Sequence, residues 1–321
     1  MGHNAIIIMG PTAVGKTDIA LTVAESLGGE IVSADSMQIY RGLDIGTAKP
    51  SREQLARVPH HMIDVADPKK PYSAWEYRSG AGAAIEGIFA RGRVPVIAGG
   101  TGLYIHSLVY DMDFGGSAGD AALRRKYERL ADERGAEYLH GLLAERDPAA
   151  AERIHPNNVK RVIRALERMP ASAAVADGKT HSTGGYAPFR FELRRGGLID
   201  PVLVLLTRER AGLVKRIELR VDEMLGGGLV SEVEGLVAKG LSLEQISMLG
   251  IGYKEVLGYI GGEYGYDEMA ELIKIHSRRY AKRQMTWFKR YKDATAINLS
   301  EVGETGAAEI ITGLFTEQIA L

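Results

Sequence analysis

The chain of 321 residues contains no cysteine. Disulfides and thiolate metal sites are therefore excluded, and a reducing cytoplasm is the expected setting. No apolar run approaches the roughly 20 residues that span a bilayer. No charged-then-apolar leader precedes the first expected strand, so neither membrane anchorage nor secretion is expected. A large charge of either sign is missing too. Forty Lys and Arg stand against 41 Asp and Glu, a net charge of −1, which excludes only a globally basic protein. The 45% hydrophobic and 25% charged content is that of a globular chain, long enough for two structural units. Internal repeats and long low-complexity tracts are absent.

What is present begins with "IIIMGPTAVGKTD" (6–18). Gly10, Gly15, Lys16 and Thr17 keep the spacing G-x-x-x-x-G-K-T between an apolar strand and a helical pattern. Such a loop folds its N–H groups around phosphate, with Lys16 as a fixed cation and the Thr17 hydroxyl available to Mg²⁺. A nucleoside triphosphate is the usual guest, but the pattern does not say what becomes of the phosphate.

Further short apolar runs at 30–34, 94–100 and 201–206 alternate with helical patterns, the first of them over Asp18–Leu27. They predict a parallel sheet flanked by helices, with a late short strand at 296–299 and a last helix. A Gly-rich stretch (113–120) and a small, polar one (170–188) flank a charged helical block. The expected organisation is therefore an α/β P-loop core over 1–112 and 200–321, with a helical insertion over 113–199.

Strand ends are where open α/β sheets place their sites. Asp35 follows the second strand, placed either to take a proton or help hold Mg²⁺, or simply to cap a turn. Thr101, in "GGTGLY", offers a hydroxyl to a ligand or belongs to a plain turn. In "RERAGLVKRIELRVDEML" (208–225), Arg216 and Arg220 read equally as a solvated face or as a second cation over the loop. "SRRYAKRQMTWFKRYK" (277–292) interleaves seven basic residues with Tyr280, Trp287, Phe288 and Tyr291. As a helix it puts Tyr280, Gln284, Trp287 and Tyr291 on one side. That suits either a nucleic acid or an amphipathic helix docked on the core. "HPNNVKRVIRALERM" (155–169) adds Lys160, Arg161, Arg164 and Arg168 on one helical face, and two basic helices in a balanced chain favour a polyanion.

Taken in order, "GPTAVGKT", "DSMQIYRGLDIGTAKP", "HHMIDV", "AGGTGLY", "RIHPNNVKRVIRALE", "IGYKE" and "RRYAKRQMTWFKR" closely resemble the tRNA dimethylallyltransferases, or tRNA isopentenyltransferases. The likeness runs from about residue 6 to 292. It implies transfer of a dimethylallyl group from dimethylallyl diphosphate to N6 of the adenosine 3′ of the anticodon, with Mg²⁺. It implies a P-loop core with a helical insertion and RNA held in a channel between them.

By the same resemblance Asp35 is the general base and Thr101 assists at the reacting group. Gly10, Thr12, Ala13, Gly15, Lys16, Thr17 and Arg220 hold the diphosphate, and Thr17 serves the metal. Asp35, Ser36, Met37, Gln38, Lys160, Arg161, Arg164, Gly252, Lys254, Lys282, Arg283, Gln284 and Trp287 contact tRNA. No protein partner is implied. Residues 170–200 depart from the family's usual connection. Without cysteine the chain cannot carry the zinc finger of some eukaryotic members, which suits a bacterial-type enzyme. A metabolite or nucleotide kinase on the same loop is the alternative enzyme, and an RNA-binding nucleotide switch the non-enzymatic one. ADP release without RNA, or binding without turnover, would mark them.

Overall fold

The computed structural model describes residues 3–110, 121–167 and 198–320. The chain forms two compact units, Met1–Asp111 with Phe191–Leu321, and Met112–Arg190. In the first, six parallel strands run in the order β3-β2-β4-β1-β5-β6. They are β1 (Asn4–Met9), β2 (Glu30–Ser33), β3 (His60–His61), β4 (Pro95–Gly99), β5 (Asp200–Thr207) and β6 (Thr295–Asn298). The α/β class is the expected one. The sheet is parallel because between successive strands at least one helix carries the chain back.

The apolar strand residues alternate between two cores. Ile6 and Ile8 of β1 face one packed under helices Lys16–Ser26 and Leu299–Ala320, with Ile19, Val23, Val204, Leu206 and Ile311. Ala5, Ile7 and Met9 face the other, with Ile97, Tyr77, Ile85, Leu203 and Phe288. Burial on both faces explains why these strands read as continuous apolar runs. Register puts Met9 of β1 beside Gly99 of β4 and Leu205 of β5. The chain therefore leaves β1, β2 and β4 at one edge.

The structure adjusts several expected boundaries. The first helix starts at Lys16, two residues before the Asp18 expected, because the end of the phosphate loop already turns helically. Two-residue β3 lies inside "HHMIDV" and is too short to show any periodicity. Helix Ala74–Ala90 carries a readable start signal, a capping box in which Ser73 accepts from the Glu76 N–H and the Glu76 side chain from the Ser73 N–H.

The second unit packs Tyr127, Leu139, Leu143, Val162, Ile163 and Leu166 at its centre. They come from helices Ala121–Arg134, Ala136–Arg146 and Val159–Glu167. Glu167 is tied by Arg124 through paired hydrogen bonds of 2.7 and 3.0 Å. Lys160 and Arg161 are exposed, while half-buried Arg164 reaches Glu167 at 3.3 Å. Arg168, the Gly-rich stretch at 113–120 and the loop expected over 170–188 lie outside the described residues. Among the described residues no helix is long and apolar enough to cross a membrane.

Candidate functional site

The phosphate loop runs from the end of β1 into helix Lys16–Ser26. The Lys16 side chain is half-buried, and among the described residues it forms no ion pair with a carboxylate. It donates to the carbonyls of Gly10 at 3.0 Å and Pro11 at 2.8 Å. Burial, and then the neighbouring Arg220 guanidinium, push its pKa down to about 7, while Asp35 pulls the other way. Arg220 is half-buried, and desolvation lowers its pKa while Asp35 again opposes the shift.

Two cations and one carboxylate from three separate segments thus share one small volume. Arg216, one helical turn before Arg220, does something else. Its Nε donates to the Ala13 carbonyl at 2.9 Å, bracing the loop from outside. The two arginines of "KRIELR" are therefore neither an equivalent pair nor a solvated face. Beside them opens a cavity of about 570 Å³. Lys16, Thr17, Arg216 and Arg220 line it together with Asp44, Ile45, Ala48 and Lys49.

Asp35 is held by its own turn, with Oδ1 accepting from the Met37 N–H at 2.9 Å and the Gln38 N–H at 3.4 Å. Thr101 is fastened to that turn. Its Oγ1 accepts from the Ser36 N–H at 2.9 Å and lies 3.2 Å from the Ser36 hydroxyl. Tyr280 completes this corner, a residue placed on the correct helix side from sequence but given no role. Burial and the nearby Asp35 keep its phenol protonated, and it hydrogen-bonds with Gln284 and Thr101.

Gln284, expected to contact tRNA, is buried between two loops in the ligand-free chain. Its Oε1 accepts from the Thr12 N–H at 2.8 Å and its Nε2 donates to the Gly100 carbonyl at 2.9 Å. The phosphate loop and the Thr101 loop are strapped together by one amide. This accounts for the glycines of "GGTG". A Cβ on Gly100 would lie 2.3 Å from Gln284 Nε2, and one on Gly102 2.3 Å from the Trp287 ring.

Trp287 is half-buried and meets His106 edge-on, with centroids 6.1 Å apart. The basic residues of the same helix, Lys282 and Arg283, are exposed, as is Lys254. Gly252 is buried, and its N–H donates to Glu255 at 2.7 Å. The neighbouring Gly250 packs near Met37, placing that segment beside the Asp35 turn. Lys160, Arg161 and Arg164 belong to the other compact unit.

Among the described residues no three His, Asp or Glu side chains gather as a metal cage. The donor set fits a hard cation of another kind. Thr17 and Asp18 both line the cavity, and Mg²⁺ commonly takes a few protein oxygens and completes its shell with phosphate and water.

A P-loop fold with a carboxylate and a hydroxyl at the neighbouring strand ends, and a second cation lining the loop's cavity, defines a class of group-transfer enzyme acting on a phosphorylated donor. The family model for IPP transferase matches residues 38–291, and that for isopentenyl transferase residues 3–65. The tRNA dimethylallyltransferase of Alkaliphilus metalliredigens is 42% identical over 311 residues, covering 97% of this chain and 96% of that one. That of Geobacillus thermodenitrificans is 48% identical over 293 residues, 90% and 88% of the two chains.

Among solved structures, the full-length tRNA isopentenylpyrophosphate transferase of Bacillus halodurans aligns with TM-score 0.70 and 37% identity. The alignment covers 99% of this chain and 98% of that one. A eukaryotic dimethylallyltransferase acting on tRNA aligns with TM-score 0.80 and 26% identity, over 99% and 79%. The chain belongs to the IPP transferase family, and the kinase and nucleotide-switch alternatives fall away.

Proposed function

We propose that this enzyme transfers the dimethylallyl group of dimethylallyl diphosphate to N6 of the adenosine 3′-adjacent to the anticodon of tRNA. The observation that carries the reading is the pair Lys16 and Arg220 on one cavity, with Asp35 close enough to act on both charges. A phosphate cradle with surplus positive charge stabilises a departing diphosphate, and a carboxylate at the next strand end receives a proton.

In the reaction the N6 lone pair attacks C1 of the dimethylallyl group as the C1–O bond breaks. The bonding pair leaves with diphosphate, held by the loop amides from Gly10 to Gly15, by Lys16 and by Arg220. N6 gives up one proton to the Asp35 carboxylate, whose Oδ1 is fixed by backbone N–H groups. Thr101 and Tyr280 direct hydroxyls at the same corner. Thr17 would hold Mg²⁺, which when bound would supply further charge neutralisation on the diphosphate.

The adenine must leave the anticodon stack to reach this corner. Exposed Lys254, Lys282, Arg283, Lys160 and Arg161, with Arg164, suit the RNA backbone. Ser36, Met37, Gln38, Gly252 and Trp287 suit a wall against the extruded base. Gln284 we assign to holding the loops rather than to reading RNA. Cytoplasmic action on tRNA accords with the absence of cysteine.

The test is transfer of radiolabel from dimethylallyl diphosphate, with Mg²⁺, to an anticodon stem-loop carrying adenosine at the target position, against one carrying guanosine. Label on the adenosine loop alone is the expected result. Equal labelling of both, or of neither, would overturn the assignment of N6 as acceptor.

A further inference from the structure

Outside the residues discussed so far, one carboxylate is surrounded by donors in a way that ordinary surface chemistry does not require. Glu232 lies on helix Leu229–Ala238. Its Oε2 accepts from the N–H groups of Asp44 at 2.8 Å and Ile45 at 2.7 Å. Its Oε1 accepts from the Gly46 N–H at 3.1 Å and the Tyr253 hydroxyl at 2.8 Å. Three successive amides and a phenol thus converge on one side chain, which makes no ion pair among the described residues. The turn is an anion nest of the kind that binds phosphate, filled here by the protein's own carboxylate.

Tyr253 reinforces the arrangement. Its ring lies where a Cβ on Gly46 would stand, 2.7 Å away, so the turn and the ring pack without a side chain between them. Burial, and next the Glu232 charge, keep the Tyr253 phenol protonated and therefore a donor.

The turn leads to the site by two routes. Asp44, Ile45, Ala48 and Lys49 line the same cavity as Lys16 and Arg220. The Thr47 and Ala48 carbonyls accept from Gln38 Nε2 at 3.3 and 3.2 Å. Gln38 Oε1 is fixed in turn by the Ser33 hydroxyl at 2.9 Å, and the Gln38 N–H reaches Asp35.

We propose that Glu232 is a positioning residue of the transfer reaction. By filling this nest it holds the wall of the diphosphate cavity and, through Gln38, the turn that bears Asp35. The inference rests on the reaction proposed above, but not on Glu232 touching any substrate.

Glutamine keeps the volume of Glu232 but turns one oxygen into a donor. In either orientation that amide meets at least one backbone N–H, so E232Q breaks the nest without opening a cavity. Y253F removes one donor and leaves the ring. For wild type and both variants, kcat, KM for dimethylallyl diphosphate and the calorimetric affinity for inorganic diphosphate are measured per folded molecule, well below the melting temperature.

In E232Q, KM should rise and diphosphate affinity fall about tenfold, and kcat fall by about ten- to a hundredfold. Y253F should show about a two- to fivefold effect on KM and affinity. A lowered melting temperature in E232Q with all three constants unchanged would reduce Glu232 to a stability residue and overturn the proposal. Should E232Q fail to fold, Y253F decides, since unchanged constants there overturn it as well. If the wild type transfers no label, the assigned reaction fails. Direct diphosphate binding still tests the latch, and an E232Q affinity equal to wild type refutes it.

Discussion

The side chain of Lys16 should gain a proton when diphosphate binds. In the ligand-free protein its pKa stands at about 7 rather than 10.5, through burial first and the Arg220 charge second. Desolvation and the neighbouring guanidinium both disfavour the charged ammonium, and Asp35 offsets them only in part. The arrival of a diphosphate anion returns Lys16 toward the ordinary range. Binding should therefore take up about 0.9 proton at pH about 8 and about 0.1 at pH about 6, given a midpoint near 7. Above that midpoint affinity falls about tenfold, or about 1.4 kcal/mol, per pH unit. Calorimetric titration with dimethylallyl diphosphate in two buffers of different ionisation enthalpy reads the uptake directly. Lys16→Ala should abolish it at pH about 8, where the diphosphate ester is itself fully ionised. Arg220→Gln should move the midpoint upward by removing the neighbouring charge. Without ligand, stability should rise with pH between about 7 and 10.5, because only the unfolded chain still holds the proton in that window. Equal uptake in wild type and Lys16→Ala would refute the assignment.

Asp35→Asn should lower single-turnover transfer by about 10²–10⁴-fold while stem-loop affinity stays within about threefold, as followed by fluorescence anisotropy. Near-normal turnover would remove Asp35 from the role of base. Gln284→Met should leave the Thr12 N–H and the Gly100 carbonyl unpaired, destabilising the protein by about 1–3 kcal/mol in chemical denaturation. It should also raise KM for dimethylallyl diphosphate, and a stem-loop affinity that fell while KM held would return Gln284 to RNA contact. At the far end of β2, the Arg91 guanidinium lowers Glu30 to about 2 against the opposing effect of burial, with His61 assisting. Its stabilisation is complete above the ordinary value of 4.5 and is lost as pH falls toward 2. Glu30→Gln should flatten the acid limb of the stability profile over that window, and an unchanged limb would rule out the linkage.

The readable parts of this enzyme are those whose signals are local. The strand, loop and helix around "GPTAVGKT" lie within about two dozen residues, and Asp35 and Thr101 each follow an apolar run directly. Knowing that parallel strands end at one edge was enough to bring the three together. Residue periodicity likewise placed Tyr280, Gln284, Trp287 and Tyr291 on one side of their helix. It could not say which way that side faced, because a polar Gln beside aromatics suits an RNA surface as well as a core.

The backbone decides the matter. Where β1, β2 and β4 stop, the ladder hydrogen bonds stop too, and the loops that follow carry N–H and C=O groups that must still be satisfied away from water. Side chains from distant helices do this. Gln284 serves Thr12 across 272 residues and Glu232 serves Asp44 across 188. Separation of that size leaves no pattern in the chain, and a lone Glu on an amphipathic helix reads as solvent-facing. The need itself can still be inferred, since phosphate loops and acid-bearing turns lack ladder partners by construction. A polar residue on the apolar side of a nearby helix is then the first place to look for what holds them, which is where Gln284 is found.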